Sequence, residues 1–325
     1  MPKEITHWLI AEATASLLAD TPWKGPLAAN PNCLKLGAVF HDILFYPAGP
    51  GAPKGFEDIA PALHGRHGQD GFAVVRRILP HVSAADHPGP LLAFLAGLIS
   101  HIHADAVFHP LVYYFTGNDR DPDPVKRDEA TAGHRRLETL MDLYFCGIEN
   151  IKKFSFRPVL GNLEAPAESL FKSAYEGLLE ARGREEALVA RTTSCLKSFA
   201  WLHDVFARQG LAFLMYAAYG LMPRAFKKNA ALFYAPQMLR HLHLLERDIS
   251  YQDPVTGEEQ LASCAALFDR AVGMSVQFCG LVSDVLAGKS DLPDLPRGPS
   301  LETGLVGPQA KPRFFSDRDF FAERT

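Results

Sequence analysis

The chain has 325 residues, of which 47% are hydrophobic and 22% are charged, and its net charge is −4 with a pI near 6.4. This is an ordinary globular composition, long enough to bury a large core in one large domain or two smaller ones. The acidic balance excludes a chain-wide basic footprint for a nucleic acid polymer or an anionic membrane.

The five cysteines are scattered, and no two of them form a CxxC pair. This pattern favours reduced thiols over a disulfide framework. The N-terminal residues lack the apolar core and the small-residue cleavage site of a signal peptide. The longest apolar stretches, at 91–99 and 211–222, are too short to span a bilayer. We therefore expect a cytoplasmic protein without a transmembrane segment.

Helical periodicity dominates the chain. Residues 5–19 carry apolar side chains at helical spacing among good helix formers, which predicts a first helix. A short apolar run at 34–40 leads to His41-Asp42 and then to a Pro/Gly-rich loop at 47–55. No segment alternates apolar and polar residues convincingly, so we predict an all-α protein. Further helices are predicted over 68–79, 90–109, the segment carrying His134 and Glu138, 168–181, 184–222, 226–249 and 259–287.

The composition changes near the C-terminal end. We predict a helical domain over residues 1–287 and a Pro/Gly-rich tail over 288–325 that lacks regular structure. Two Phe-Phe pairs, at 314–315 and 320–321, are unusual in a disordered tail. Either they pin the tail against the body or a partner, or they belong to a partly ordered terminus.

Two segments carry metal-ligand residue types at intervals of four. They are His101-x-x-x-Asp105-x-x-x-His109 and His134-x-x-x-Glu138. Four residues is about one helical turn, so each set forms a column on one helix face. Two such helices facing each other supply what a multinuclear metal site requires. Imidazole and carboxylate donors without nearby cysteines favour a catalytic zinc centre over a structural zinc cluster.

Together with other residues, these columns carry a family resemblance. The chain resembles the zinc-dependent phospholipase C family, which includes bacterial phosphatidylcholine-hydrolysing enzymes and the clostridial alpha-toxin catalytic domain. Single-strand-specific zinc nucleases share that family's fold. The resemblance covers about residues 1–145 and implies a single multi-helical domain of this type. The residues that carry it are Thr6-His7, Gly37-x-x-x-His41-Asp42, His64 or His67, His101-x-x-x-Asp105-x-x-x-His109 and His134-x-x-x-Glu138.

The resemblance implies a centre of two or three zinc ions. One zinc would be held by Asp42, one of His64 or His67, His101 and Asp105. His64 and His67 could share a helix face, but the neighbouring glycines favour a loop, and we favour His64. Asp42 would also orient or deprotonate the attacking water.

A second zinc would be held by His109, His134 and Glu138. His7 would share a third zinc with Asp105, because the two oxygens of a carboxylate can bridge. In the secreted enzymes, the amino group and carbonyl of a processed N-terminal tryptophan complete this third site. Here we expect no signal peptide, and His7 lies only six residues from Met1. Removal of Met1 would leave Pro2, whose secondary amine could coordinate in that place. The resemblance therefore leaves open whether the third site is complete.

Other candidate residues are given ordinary structural roles. His41 could be an extra ligand or a proton shuttle, but we predict a surface histidine. His103 lies about 200° around the helix from His101, so we expect it to point away from the site. His203 and the His-x-His pair at 241–243 lack a clear carboxylate partner. The aromatic-rich run over 201–234 is predicted to be helix-packing core rather than a lipid pocket.

These residues predict a zinc-dependent phosphodiester hydrolase resembling phospholipase C. Closely spaced cations can clamp the attacking and leaving oxygens of a phosphate diester, and a metal-activated water is the expected nucleophile. The expected substrate is a phospholipid headgroup ester or a soluble phosphodiester, with no nucleic acid polymer as a partner.

Two alternatives remain open. The order His7, His41-Asp42 and Asp105 also satisfies the loose pattern of HD-type metal-dependent phosphohydrolases, which act on nucleotides. That pattern leaves the second ligand column unexplained. The other alternative is a non-catalytic helical scaffold that uses bound metal for stability.

Overall fold

The structure is 63% helical, and the two strands among the described residues are short, so the predicted all-α class is confirmed. The computed structural model describes residues 3–66, 68–179, 182–308 and 311–322. The first seven α-helices are α1 (Glu4–Leu17), α2 (Lys24–Ala29), α3 (Pro31–Gly37), α4 (Ile59–Leu63), α5 (Ala73–Ala84), α6 (Gly89–Thr116) and α7 (Pro124–Cys146). They are followed by α8 (Phe156–Gly161), α9 (Ala167–Tyr175), α10 (Arg182–Phe206), α11 (Gln209–Ala218), α12 (Arg224–Ala230), the strands β1 (Ile249–Gln252) and β2 (Glu259–Ala262), and α13 (Cys264–Leu286).

The central element of the fold is α6. Its 28 residues are apolar on every side, and it is buried almost throughout from Ala93 to Tyr113. A helix that is hydrophobic all round belongs in the interior. It packs against α1, α2, α3, α5, α7 and α13, so residues on its different faces reach different neighbouring helices.

Two glycines allow α3 to cross α6 with their backbones in contact. A Cβ atom on Gly37 would lie 2.0 Å from the carbonyl oxygen of Phe94, and one on Gly97 would lie 2.1 Å from that of Leu34. No larger side chain fits at either position without moving a helix. The crossing brings the 3-10 helix that follows α3, with Asp42, directly over α6.

Two helices, α6 and α13, are long and apolar enough to cross a membrane by length and composition. The most apolar window of α6 is 89% buried within the protein, and that of α13 is 39% buried. A core helix passes the same test, so these helices are weak evidence of a membrane span. The apolar stretch at 91–99 is part of the 28-residue helix α6 and not a short element of its own.

A β-hairpin departs from the helical prediction. β1 pairs antiparallel with β2, with Ile249 opposite Ala262 and Gln252 opposite Glu259. The Asp253 side chain accepts hydrogen bonds from two backbone amides of the turn, and Gly257 takes a φ of +79°. The predictions of helices over 226–249 and 259–287 are therefore wrong at the end of the first and the start of the second, where the chain forms the hairpin. β1 does alternate apolar and polar residues, as Ile249-Ser250-Tyr251-Gln252, but four residues is the shortest run in which alternation indicates a strand.

The helix predicted over 184–222 is also interrupted. It ends at Phe206 and resumes as α11, followed by a 3-10 helix at Tyr219–Leu221. The prediction that the aromatic-rich run packs in the core is wrong for this part, because Phe213 is 52% exposed and Phe226 is 62% exposed. The aromatic side chains of the run that are buried are Phe206, Phe233 and Tyr234, whereas Trp201, at its start, is 52% exposed.

The C-terminal segment is mostly irregular but packs on the helical body. It contains a 3-10 helix at Leu292–Asp294 and a β-bridge between Pro299 and Val306. The ring of Phe320 packs edge-on against Phe115 on α6, with centroids 5.0 Å apart. This Phe pair therefore pins the segment to the body. The division between a domain over 1–287 and a tail over 288–325 stays a prediction.

Candidate metal centre

The first ligand column lies on α6. His101, Asp105 and His109 follow one another at intervals of one turn, and all three side chains are buried. His101 Nε2 lies 3.2 Å from Asp105 Oδ2. The sequence spacing therefore predicted the shared face correctly.

Four residues from three elements form the first cluster of possible metal donors. Asp42 comes from the 3-10 helix after α3, His64 from the end of α4, and His101 and Asp105 from α6. One donor atom from each lies within 4.8 Å of the others. Asp42 Oδ1 lies 3.2 Å from His64 Nε2 and 3.8 Å from His101 Nε2.

His7, on α1, lies on the other side of Asp105. Its Nε2 is 3.3 Å from Asp105 Oδ1, and its ring stacks on His101 with centroids 4.1 Å apart. The two oxygens of Asp105 thus face two different histidines, because Oδ2 faces His101. This is the arrangement expected of a carboxylate that bridges two metal ions.

The second cluster lies between α6 and α7. Donor atoms of His109, His134 and Glu138 lie within 4.8 Å of one another. His134 Nε2 is 2.8 Å from Glu138 Oε1, and His109 Nε2 is 3.9 Å from the same oxygen. Asp105 precedes His109 by one helical turn, so the two clusters are adjacent.

Main-chain carbonyls orient three of these histidines. In each one, Nδ1 donates to a carbonyl oxygen, which leaves Nε2 to act as a ligand. The tautomers are assigned from these contacts. The pairs are His64 with Ala60 at 2.7 Å, His101 with Ala38 at 2.8 Å, and His109 with Leu301.

Burial and neighbouring charge set the protonation of the centre. Burial lowers the pKa of His7, and lowers the pKa of His109 and His134 further. Burial also works against a charged His101, but Asp105 and Asp42 outweigh it and raise its pKa to about 9. Burial alone would raise the pKa of Asp105, yet His101 and His109 hold it well below its usual range.

Both ring nitrogens of His7, the Nε2 of His101 and both oxygens of Asp105 are buried, and none of them makes a hydrogen bond of good geometry within the described part of the chain. The nearest polar contacts of Asp105 are the 3.2–3.3 Å approaches to the Nε2 atoms of His7 and His101, which a shared metal ion would also explain. Buried polar atoms are normally paired, because their desolvation is otherwise uncompensated. An ionised carboxylate among mainly neutral imidazoles is the donor set of a zinc-type ion. The residues therefore fit a buried metal.

Residues 6–180, more than half of the chain, match the family model for zinc dependent phospholipase C. The chain belongs to the zinc-dependent phospholipase C family. No curated protein and no solved structure gives a significant match to the chain. The segment that matches the zinc-dependent phospholipase C family contains every candidate ligand, from His7 to Glu138.

Family membership agrees with how the candidate ligands are grouped, and their individual roles stay predictions. The sequence left open whether His64 or His67 belongs to the first cluster, and His64 does lie in it. His67 lies outside the described residues.

The prediction that His41 is a surface histidine is wrong. His41 is fully buried, and its ring stacks on His101 with centroids 4.9 Å apart. Burial holds its pKa well below the ordinary value. The apolar run at 34–40, which directly precedes His41, could have predicted that His41 is buried. By contrast, His103 does point away from the centre, with Nδ1 3.3 Å from Ser275 Oγ on α13.

The two ligand columns continue one turn further than sequence reasoning followed them. On α6, Tyr113 follows His109, and its ring centroid lies 5.4 Å from that of His109 and 5.0 Å from that of His134. On α7, Asp142 follows Glu138 and reaches the start of α1. The interval of four was the signal that could have found both.

The contacts that Leu301 makes with the centre, and those that Glu302 makes, could not be predicted from the sequence pattern. Leu301 is fully buried, and its N–H donates to His64 O at 2.9 Å while its carbonyl accepts from His109. The next residue, Glu302, pairs with Arg66 and Arg120. The C-terminal segment, outside the family match, thus touches one histidine of each cluster.

Proposed function

We propose that the protein is a zinc-dependent phosphodiester hydrolase of the phospholipase C type, with a multinuclear centre that activates water. The supporting observation is the pair of adjacent, buried clusters of histidines and carboxylates within the family match. The proposed substrate is a phospholipid headgroup ester or a soluble phosphodiester. We also propose a cytoplasmic location.

Zinc, when bound, would polarise a phosphoryl oxygen and make a water molecule acidic enough to attack near neutral pH. Around that chemistry, Asp42 is the proposed base. It is 4% exposed, and its Oδ1 faces His64 and His101. Its carboxylate would orient the water and take its proton while the new P–O bond forms and the ester P–O bond breaks.

The second cluster would hold the phosphate and provide access. Among the candidate ligands that the structure describes, His134 is the most exposed, with 14% of its side chain accessible. Substrate would therefore approach from the α7 side. The cluster has three protein donors, which is the number found in catalytic zinc sites that keep an open position. This favours catalysis over a purely structural metal.

The second cluster also favours this proposal over an HD-type phosphohydrolase. That alternative uses His7, His41, Asp42 and Asp105, which do lie together, but it gives no role to His109, His134 and Glu138. A Glu138→Gln substitution separates the two. We expect it to abolish hydrolysis, whereas the HD alternative expects nearly normal activity.

The test uses full-length protein purified without a chelator or histidine tag. Metal content is measured by plasma mass spectrometry, and activity by release of nitrophenol from nitrophenyl phosphorylcholine and of phosphorylated headgroup from phosphatidylcholine. Glu186→Gln, on an exposed position of α10, is the matched control and should match wild type. Failure of the zinc-loaded wild type to hydrolyse any phosphodiester would overturn the proposal. A scaffold would then be favoured if chelation also unfolds the helices.

A further inference from the structure

Helices α11 and α12, with the turn between them, expose an unusual amount of apolar surface. Phe213, Leu214, Leu221 and Phe226 are 52%, 63%, 92% and 62% exposed. α11 buries only Ala212. No residue from 209 to 223 is charged. We call the side chains of residues 209–228 the α11–α12 surface. Contiguous exposed apolar patches of this kind mark interaction sites.

The charged residues of the segment that contains this surface, 205–245, are all basic. The chain holds 37 Asp and Glu residues, yet none of them lies between Asp204 and Glu246. The net charge of −4 therefore hides a local excess of positive charge. The basic residues in this interval are Arg208, Arg224, Lys227, Lys228 and Arg240.

Two of these bases are neutralised by the first turns of α7. Arg224 Nε lies 3.5 Å from Glu129 Oε1, and Lys228 Nζ lies 3.2 Å from Asp128 Oδ1. The tail also brings Asp319 close to Tyr219. Whether the surface attracts anions therefore depends on the basic residues that do not pair with these carboxylates.

Three bases surround the tyrosines of the surface and form no ion pair with a carboxylate in the described residues. Arg240 Nη2 lies 3.1 Å from the Tyr216 hydroxyl, and Arg136 Nη2 lies 3.5 Å from it. Lys227 Nζ lies 5.5 Å from the centre of the Tyr219 ring. The surface thus combines projecting apolar side chains with unneutralised cations next to tyrosines.

The surface lies next to the part of α7 that carries His134. Arg135 directly follows His134, the most exposed of the described candidate ligands, and its Nη1 donates to Lys228 O at 3.0 Å. α12 packs along α7 over this region. A body bound to the α11–α12 surface would therefore lie close to the stretch of α7 that contributes to the second cluster.

We propose that the α11–α12 surface docks on an anionic phospholipid bilayer. Phe213, Leu214, Leu221 and Phe226 would enter the headgroup region. The cations beside Tyr216 and Tyr219 would face lipid phosphates and carboxylates. Interfacial helices combine these features: large apolar residues on one side and Lys or Arg at the boundary. Bases without carboxylate partners distinguish this face from an apolar dimer interface. The proposal does not depend on the substrate of the metal centre.

The test is co-sedimentation of the zinc-loaded protein with vesicles of phosphatidylcholine, with and without phosphatidylserine. Wild type should bind the anionic vesicles more tightly. The double variant L221S/F226S should weaken binding roughly tenfold or more, since large apolar contacts with the interface are lost. Lys227→Gln should weaken it roughly fivefold on anionic vesicles only. The control is Leu261→Ser, which replaces a leucine that is 68% exposed on β2 and should bind as wild type does.

Several results would overturn the docking proposal. One is no binding of wild type to anionic vesicles, and another is equal binding of L221S/F226S and the control. A third is self-association of wild type that the double variant abolishes, without vesicle binding, because this would assign the surface to a second copy. Hydrolysis of nitrophenyl phosphorylcholine is measured in parallel. It should be unchanged in L221S/F226S, so loss of docking and loss of the proposed hydrolase are read separately.

Discussion

The carboxylate of Asp142 closes the first turn of α1 at Thr6, 136 residues earlier in the chain. Asp142 Oδ1 accepts from the Thr6 amide at 2.8 Å and from the Thr6 hydroxyl at 2.7 Å. No side chain at the cap position of α1 itself makes this bond. The next residue is His7, so a carboxylate on α7 determines where one candidate ligand enters the centre.

We expect Asp142→Ala to lower both stability and metal content. The substitution leaves buried donors on Ile5, Thr6 and Tyr234 without their acceptor, which should lower the free energy of unfolding by about 1–3 kcal/mol. Denaturant unfolding and metal analysis measure the two effects. Asp123→Ala removes an exposed helix-capping carboxylate from α7 and is the control. It should cost about 1 kcal/mol and no metal. Equal metal content in the two variants would contradict this role for Asp142.

The second cluster should account for at least one bound zinc. The double variant H134A/E138A removes two of its three donors and should lower zinc per chain by at least one, as measured by plasma mass spectrometry. A matched histidine–carboxylate pair exists elsewhere, where His81 Nε2 lies 2.8 Å from Glu176 Oε2 and the side chains are 33% and 65% exposed. H81A/E176A should keep the full metal content. No difference between the two variants would mean that the second column does not bind metal.

Single substitutions should distinguish the two histidines near the end of α4. His64→Ala removes a buried ring nitrogen that faces Asp42 at 3.2 Å, so we expect loss of zinc from the first cluster. His67→Ala should leave the zinc content unchanged and serves as the comparison. If the double variant H64A/H67A keeps all of its metal, neither histidine is a ligand and this assignment fails.

Removing the segment that contains Leu301 should weaken the second cluster. A chain that ends after Arg297 loses the carbonyl that accepts from His109 Nδ1, so His109 can rotate or change tautomer. We expect lower zinc affinity, by tenfold or more on the scale of outer-shell substitutions. A chain that ends after Gly307 keeps Leu301 and is the control. Equal affinity in a competition titration would show that the carbonyl contact does not matter.

Much of the centre was predictable because local spacing determines helix faces. The intervals of four on α6 and α7 predicted both ligand columns, and the family resemblance placed Asp42 and His7 beside them. Long-range contacts were not predictable in this way. The bond from His109 to Leu301 joins residues 192 positions apart, and nothing in the composition of the tail indicates it. The net charge also concealed the basic interval around α11 and α12, because a sum over the chain carries no information on position.

The contact between His109 and Leu301 also bears on the order in which the centre can mature. A ribosome that has translated Glu138 has made every candidate ligand, while the carbonyl that holds His109 lies 163 residues further along the message. The nascent chain therefore presents its imidazoles and carboxylates before one of them has its final orientation. A metal ion bound during synthesis would therefore be held by donors whose orientation is less fixed than in the complete protein.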